Sequence, residues 1–237
     1  MIFNAAAISN PGPRNLNEDE VIYWSPTTTM LIGGIADGLG GMGGGSDASR
    51  IAISALKRSL NQNSTQEDLV SAAEFAHNEI LAIQKLKPQL KRMATTLTFG
   101  IFNNNSLIGI HCGDSRASIA RGEGIRKLTT DHSERERLLR AGKITKKEFN
   151  DYPRKNILES AIGGSTPPQI DSFNFDLQSG DKIFFTTDGV HEIVKLREMR
   201  AIAEHHVDAN KFVNEIVQTV ESRSPDDNFS ILAVFVL

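Results

Sequence analysis

A single cysteine, Cys112, leaves this 237-residue chain unable to close an internal disulfide, and no Cys/His cluster has zinc-type spacing. A disulfide framework and a structural zinc site are both excluded, and a reducing compartment fits. A surplus of positive charge is also missing: 26 Lys and Arg against 29 Asp and Glu give a formal charge of −3. That removes a strong electrostatic case for nucleic acid or an anionic membrane as partner. The longest apolar run, 231–237, falls far short of the roughly 20 residues of a membrane helix. The N-terminal MIFNAAAISNPGPR has no basic region ahead of an apolar stretch, so a cytoplasmic protein without span or secretion signal is expected. Apart from a glycine cluster at 33–45 there is no repeat and no Pro/Gly/Ser-rich linker, which points to one domain over 1–237.

What is present describes a globular chain, with 39% hydrophobic and 23% charged residues, enough apolar material for a sizeable core. Strand signals occur at 30–36, 95–102, 106–112, 117–121, 170–177, 182–187 and 229–236, and Asn103-Asn104-Asn105 supplies turn chemistry for a hairpin. Apolar residues spaced three and four apart predict a helix through Ala48, Ile51, Ala52, Ala55, Leu56 and Leu60, behind a cap at Ser46. That stripe reads as core. A second helix is predicted from the box-like Thr65-x-x-Asp68 to before Pro88, and a third through Phe212, Val213, Ile216, Val217 and Val220. Helices and strands are grouped rather than alternating, so the class is α+β with largely antiparallel sheets covered by helices.

Four aspartates resist reading as ordinary surface residues. Asp37 and Asp188 each follow an apolar strand and precede glycine, Asp114 ends LIGIHC, and Asp227 precedes FSILAVFVL. Carboxylates at the ends of core strands can converge on one rim of a sheet, where they raise one another's pKa unless a cation compensates. Oxygen donors without histidine or cysteine favour magnesium or manganese. Glu18 and Asp19 add two carboxylates, and Arg14 offers a planar fork that matches phosphate oxygens. The residues alone describe a metal-dependent, phosphoryl-handling site, and leave a two-metal phosphodiesterase or nuclease open as well as a phosphatase.

The segments GPRNLNEDE, ADGLGGMGGGSDAS, ATTLTFGIF, GDSRASIAR, LTTDHSE, RAGKIT, PRKNILESAIGG, GDKIFFTTDGV and DDNFSILAV resemble, in order, the metal-dependent type 2C serine/threonine protein phosphatases in their compact bacterial form. The resemblance implies a four-layer α/β/β/α sandwich with two central, mainly antiparallel sheets and a flap at about 131–160. It implies two or three Mn2+ or Mg2+ ions, with Asp37 bridging two of them and Gly38 offering its carbonyl. Asp188 and Asp227 would complete the first metal's shell, and Asp37, Asp188 and Asp227 would carry catalysis. Asp19 and Glu18 fall on N-terminal metal positions, Asp114 on a ligand of a third, weaker metal, and Arg14 on the substrate-phosphate position. The implied reaction is hydrolysis of phosphoserine and phosphothreonine in proteins by water between two metals, opposing a Ser/Thr kinase, in a monomer that binds neither nucleic acid nor membrane.

Departures accompany the match. Leu39 stands where many members carry histidine or methionine, and cannot donate a proton; neither His111 nor His132 is assigned that task. Glu159-Ser160 replaces a common Thr-Arg, removing a cation and adding an anion. An inactive phosphatase-fold module that binds phosphoproteins or regulates a kinase is the alternative, with Leu39 its support. Other residues read more simply: GDSR can be a turn with Arg116 paired to a carboxylate, the glycines at 40, 41 and 43–45 lack the ending of a nucleotide P-loop, and His77, His205 and His206 read as surface residues.

Overall fold

The computed structural model describes residues 1–39 and 44–237. One sheet orders β1 (Phe3–Asn10), β11 (Phe229–Val236), β10 (Lys182–Thr186), β7 (Arg116–Arg121) and β8 (Gly124–Lys127). The other orders β2 (Asp19–Thr27), β3 (Met30–Leu39), β5 (Leu97–Asn103), β6 (Ser106–Cys112) and β9 (Asp171–Asp176), with β4 (Ala94–Thr95) paired to the end of β3. Neighbouring strands are antiparallel throughout.

The alternation of side chains along the central strands builds the layers. In β3, Met30, Ile32 and Ala36 point to α1 (Gly45–Ser59) and α2 (Gln66–Leu86), while Leu31 and Ile35 point to the other sheet. In β11, Phe229, Ile231, Ala233 and Phe235 meet α6 (Leu196–Glu204) and α7 (Ala209–Ser222), while Leu232, Val234 and Val236 face back across the sandwich. Strands buried on both faces read as continuous apolar runs, which is why the sequence disclosed them. Phe99, Phe102, Phe184, Phe185 and Phe212 are fully buried, each contributing about 1.5–3 kcal/mol. The result is the expected α/β/β/α order, with three apolar layers between four layers of structure.

Several elements differ from the sequence reading. β1, β2, β8 and α6 are not among the predicted elements, α6 despite Leu196, Met199 and Ala203 spaced three and four apart, and the predicted strand at 95–102 divides into β4 and β5. Helix α1 starts behind Gly44, with no side-chain cap, rather than behind Ser46. His77 is not a surface residue: it lies buried in α2, and its Nδ1 accepts the Gly163 amide at 2.9 Å. His205 is exposed, and His206 meets Glu215 at 2.6 Å near the surface. The capping box at Thr65 and Asp68 forms as read, and so does the β5–β6 hairpin.

Between β8 and β9 the chain makes the excursion assigned to the flap. It holds α3 (Glu134–Arg140) and α4 (Lys146–Asn150), is closed at its base by a Ser133–Leu158 bridge, and is seated by Arg135 donating to Glu192 at 2.7 Å. Among the described residues no helix is long and apolar enough to cross a membrane.

Candidate active site

Antiparallel pairing sets Asp19, the first residue of β2, directly opposite Asp37 near the end of β3. Opposed residues share a face with Cβ atoms about 4.5–5.5 Å apart, so two carboxylates here are an unfavourable pair on their own. The strand does not stop before Asp37, as the sequence suggested, but runs on to Leu39. Threonines fix it there: the Asp37 amide donates to Thr96 Oγ1 at 2.9 Å, and the Thr96 amide and Thr95 hydroxyl donate to the Asp37 carbonyl at 2.8 and 2.9 Å.

The other sheet supplies the opposing carboxylates. Asp188 opens the short helix α5 (Asp188–His191) immediately after β10, and the preceding Thr187 donates its hydroxyl to Asp19 at 2.9 Å. Asp227 lies two residues ahead of β11. Asn228, beside it, accepts the Glu18 amide at 2.9 Å and donates to the Pro11 and Leu16 carbonyls at 2.8 and 2.9 Å. One amide side chain therefore ties the 11–18 segment, with Arg14 and Glu18, to the residue beside Asp227. The Gly38 amide donates to the Glu18 carbonyl at 3.0 Å, bringing the Gly38 peptide to the same place.

The electrostatics follow from this convergence. Burial, then repulsion from Asp19, Asp188, Asp114 and Asp227, raises Asp37 well above the ordinary carboxylate range. Burial pushes Asp19 up to about 7 against hydrogen bonds from Ser230 and Thr187, with Asp188 and Asp227 adding repulsion. Asp114 rises to about 7 and Asp188 to about 6, in each case through burial first and a neighbouring aspartate second. Each of these carboxylates is held where its charge is disfavoured, a condition a divalent cation would reverse. Among the described residues no three Asp, Glu, His or Cys side chains group tightly enough to hold an ion unaided. The carboxylates stand close enough to repel without closing on a point.

Arg14 lies over this cluster, with one nitrogen 3.0 Å from Asp227 Oδ2 and Nε donating to the Asp226 carbonyl at 2.9 Å. Glu18 has a second task. Helix α1 has no side-chain cap of its own, and the Glu18 carboxylate lies against the Gly45 and Ser46 amides, the hydrogen bonds opposing a rise caused by burial. A Cβ on Gly45 would sit 2.5 Å from Glu18 Oε1, so only glycine admits the carboxylate there.

In GDSR the pairing of Arg116 with a carboxylate is observed. Asp114 faces the cluster, while Arg116 forks onto the fully buried Asp131 at 3.0 and 2.5 Å. Despite its burial, the Arg116 guanidinium holds Asp131 well below the usual range. Leu39 pairs with Ala94 at the end of β3. Glu159 is bound by Arg137 of the flap at 2.6 Å, and Ser160 accepts the Gln169 amide at 2.8 Å and lies 3.3 Å from Cys112. Burial pushes the Cys112 thiol up to about 12, which removes it as a nucleophile at neutral pH. The Gly40, Gly41 and Gly43 part of the glycine cluster lies outside the described residues.

Thr96, Thr187 and Asn228 escaped the sequence reading. Thr187 and Asn228 adjoin aspartates, a pattern shared with any turn, and Thr96 lies among the residues of a predicted strand, so only the three-dimensional pairing singles them out.

Residues 13–231 match the family Protein phosphatase 2C. The chain is 31% identical over 230 residues to the protein phosphatase PhpP of Streptococcus pneumoniae, covering 93% of this chain and 92% of that one. The fold is similar to the serine/threonine phosphatase Stp1 of Staphylococcus aureus, with TM-score 0.93 at 22% identity over 100% of this chain and 96% of that one. It is also similar to the catalytic domain of the serine/threonine phosphatase PstP in complex with two manganese ions, with TM-score 0.86 at 24% identity over 100% and 99% of the two chains. With the ordered carboxylate segments, the two-sheet sandwich and a match over nearly its whole length, the chain belongs to the protein phosphatase 2C family of serine/threonine protein phosphatases.

Proposed function

We propose that the chain hydrolyses phosphoserine and phosphothreonine in proteins with two or three Mn2+ or Mg2+ ions. Asp37, Asp188, Asp227, Asp19, Asp114, the Gly38 carbonyl and Glu18 are the groups that would hold them. The observation that carries the reading is the partly buried, mutually repelling set of carboxylates around Asp37, opposite Asp19 across the strand pair, in a chain of this family. The donors are all hard oxygens, which suits magnesium or manganese. Such ions, when bound, would neutralise phosphoryl oxygens and activate water for attack on phosphorus.

The chain's own residues do the rest. Asp37, Asp188 and Asp227 fix the positions at which that charge acts. Arg14 spends two N–H groups on Asp227 and the Asp226 carbonyl, and its fork keeps further donors for the phosphoryl oxygens. Leu39 supplies no proton. His111 cannot either: burial lowers it to about 4, and its ring nitrogens are taken by Thr98 at 2.9 Å and the Thr130 carbonyl at 3.0 Å. The leaving oxygen takes its proton from water or from another residue, with no covalent enzyme intermediate. We further read 1–237 as one catalytic unit, a cytoplasmic monomer without nucleic-acid partner, acting on phosphoproteins made by a Ser/Thr kinase.

Asp37→Ala and Asp188→Ala should each lower phosphate release from a phosphothreonine peptide by about 100-fold or more, the scale on which preorganised electrostatic groups act. Arg14→Ala should chiefly raise KM, by about 10-fold. Wild-type activity in Asp188→Ala would overturn the assignment.

A further inference from the structure

His132 has no task in the hydrolysis, yet its side chain is 4% exposed and both ring nitrogens are engaged. Nδ1 lies 3.2 Å from the Gly113 amide nitrogen, and Nε2 lies 3.1 Å from Asp171 Oδ2. A backbone N–H can only donate, so Nδ1 is the bare nitrogen, and the ring proton sits on Nε2 and is given to Asp171. The backbone of His132 acts on the same residue, its amide donating to the Gly113 carbonyl at 2.7 Å. Both polar groups of Gly113 are thus held by one residue.

Gly113 has no freedom to answer otherwise. Its φ of +108° belongs to glycine, and a Cβ would lie 2.6 Å from the Thr96 side chain. Asp114 follows it directly. Beyond Asp114, Ser115 meets the Thr96 hydroxyl at 2.7 Å, and Arg116 is forked onto Asp131, the residue before His132. Consecutive residues 131 and 132 therefore grip the 113–116 turn on either side of Asp114. Asp171 is itself steadied by Gln169, which donates to its Oδ1 at 2.9 Å.

We propose that His132, oriented by Asp171, is a positioning residue that fixes the Gly113-Asp114 turn and so sets the affinity of a divalent ion at Asp114. The inference rests on the reading of Asp114 as a metal ligand. Ligand partners one shell out commonly change metal affinity by about 10- to 100-fold. Asp171 lies partly open to solvent at the mouth of a cavity of about 410 Å³ at the base of the flap, so it can be changed without emptying the core.

The experiment counts Mn2+ bound to the metal-stripped protein by paramagnetic resonance of the free ion, alongside kcat and KM for a phosphothreonine peptide. Asp114→Ala should lose the weaker binding phase and keep the tight one. His132→Leu should weaken that phase about 10-fold and Asp171→Ala several-fold, both with the tight phase unchanged, while His132→Asn, whose Oδ1 can accept the Gly113 amide, restores most of it. If His132→Leu does not fold, Asp171→Ala carries the comparison. Retention of both phases by Asp114→Ala overturns the ligand reading and the inference with it. Loss in Asp114→Ala with wild-type Mn2+ binding in the His132 and Asp171 variants overturns the inference alone, and so does His132→Asn binding as poorly as His132→Leu, which would mark a packing role.

Discussion

Asp19 and Asp37 face each other across a strand pair, and Asp114 and Asp188 join them, so the metal-free fold holds carboxylates that favour their protons. With Asp19 and Asp114 near 7 and Asp188 near 6, against about 4 in an unfolded chain, the native state binds more protons than the unfolded state in that interval. Stability from this source falls as pH rises through the window and returns on acidification. Two groups of residues work the other way. Burial lowers His111 to about 4 and His191 well below the usual range, so their share is lost as pH falls below about 6.5. Asp131, held low by Arg116, loses its share only below about pH 4. These contributions are common to the metal-free and metal-bound forms and cancel in their difference. The rise in melting temperature produced by saturating Mn2+ should therefore be larger at about pH 8 than at about pH 6, by several degrees in calorimetry. An increment independent of pH would contradict the raised carboxylates. Asp37, Asp114, Asp188 and Asp227 were legible because each interrupts an apolar strand end. Asn228 and Thr187 were not, since their partners are more than 160 residues away along the chain.

Among the elements, α2 shows how much local chemistry can specify. Thr65 accepts the Asp68 amide at 3.3 Å while the Asp68 carboxylate accepts the Thr65 amide at 2.8 Å, a reciprocal cap visible in the sequence. Thr65→Ala should lower unfolding stability by about 1 kcal/mol in urea titration, with activity unchanged, and no loss of stability would show that the cap is redundant. Helix α1 is the contrary case. Its first amides lie against the carboxylate of Glu18, 27 residues before Gly45, a contact that no local pattern could reveal, and Ser46 was read as the cap instead. Strand β1 was missed for a related reason. Its FNAAAISN is poor in β-branched and aromatic residues, and it is a strand because eight of its residues pair with eight of β11. His77 reads as a surface residue only because it is polar: four residues after Ala73 and three before Ile80, it lies on the buried stripe of α2, where its ring accepts the Gly163 amide.

At the scale of the molecule, the site is made by two sheets meeting. β2 and β3 of one sheet bring Asp19 and Asp37, the ends of β10 and β11 in the other bring Asp188 and Asp227, and Asp114 sits on the crossing from β6 to β7 that joins them. The layer of Leu31, Ile35, Phe102, Phe185, Leu232 and Val234 between the sheets holds these groups at a fixed separation. The four-layer order and the family were readable from the order of motifs, but sheet membership was not, because consecutive apolar strands give no sign of which sheet each joins. The central claim is that this junction is a metal-dependent phosphatase site. It is tested most directly by stripping the folded protein of divalent metal and following phosphate release from phosphoserine and phosphothreonine peptides as Mn2+ is returned. No phosphate should be released without metal, and release should rise to saturation as Mn2+ is added. Release that persists without metal, or that fails at every Mn2+ concentration with both peptides, would contradict it.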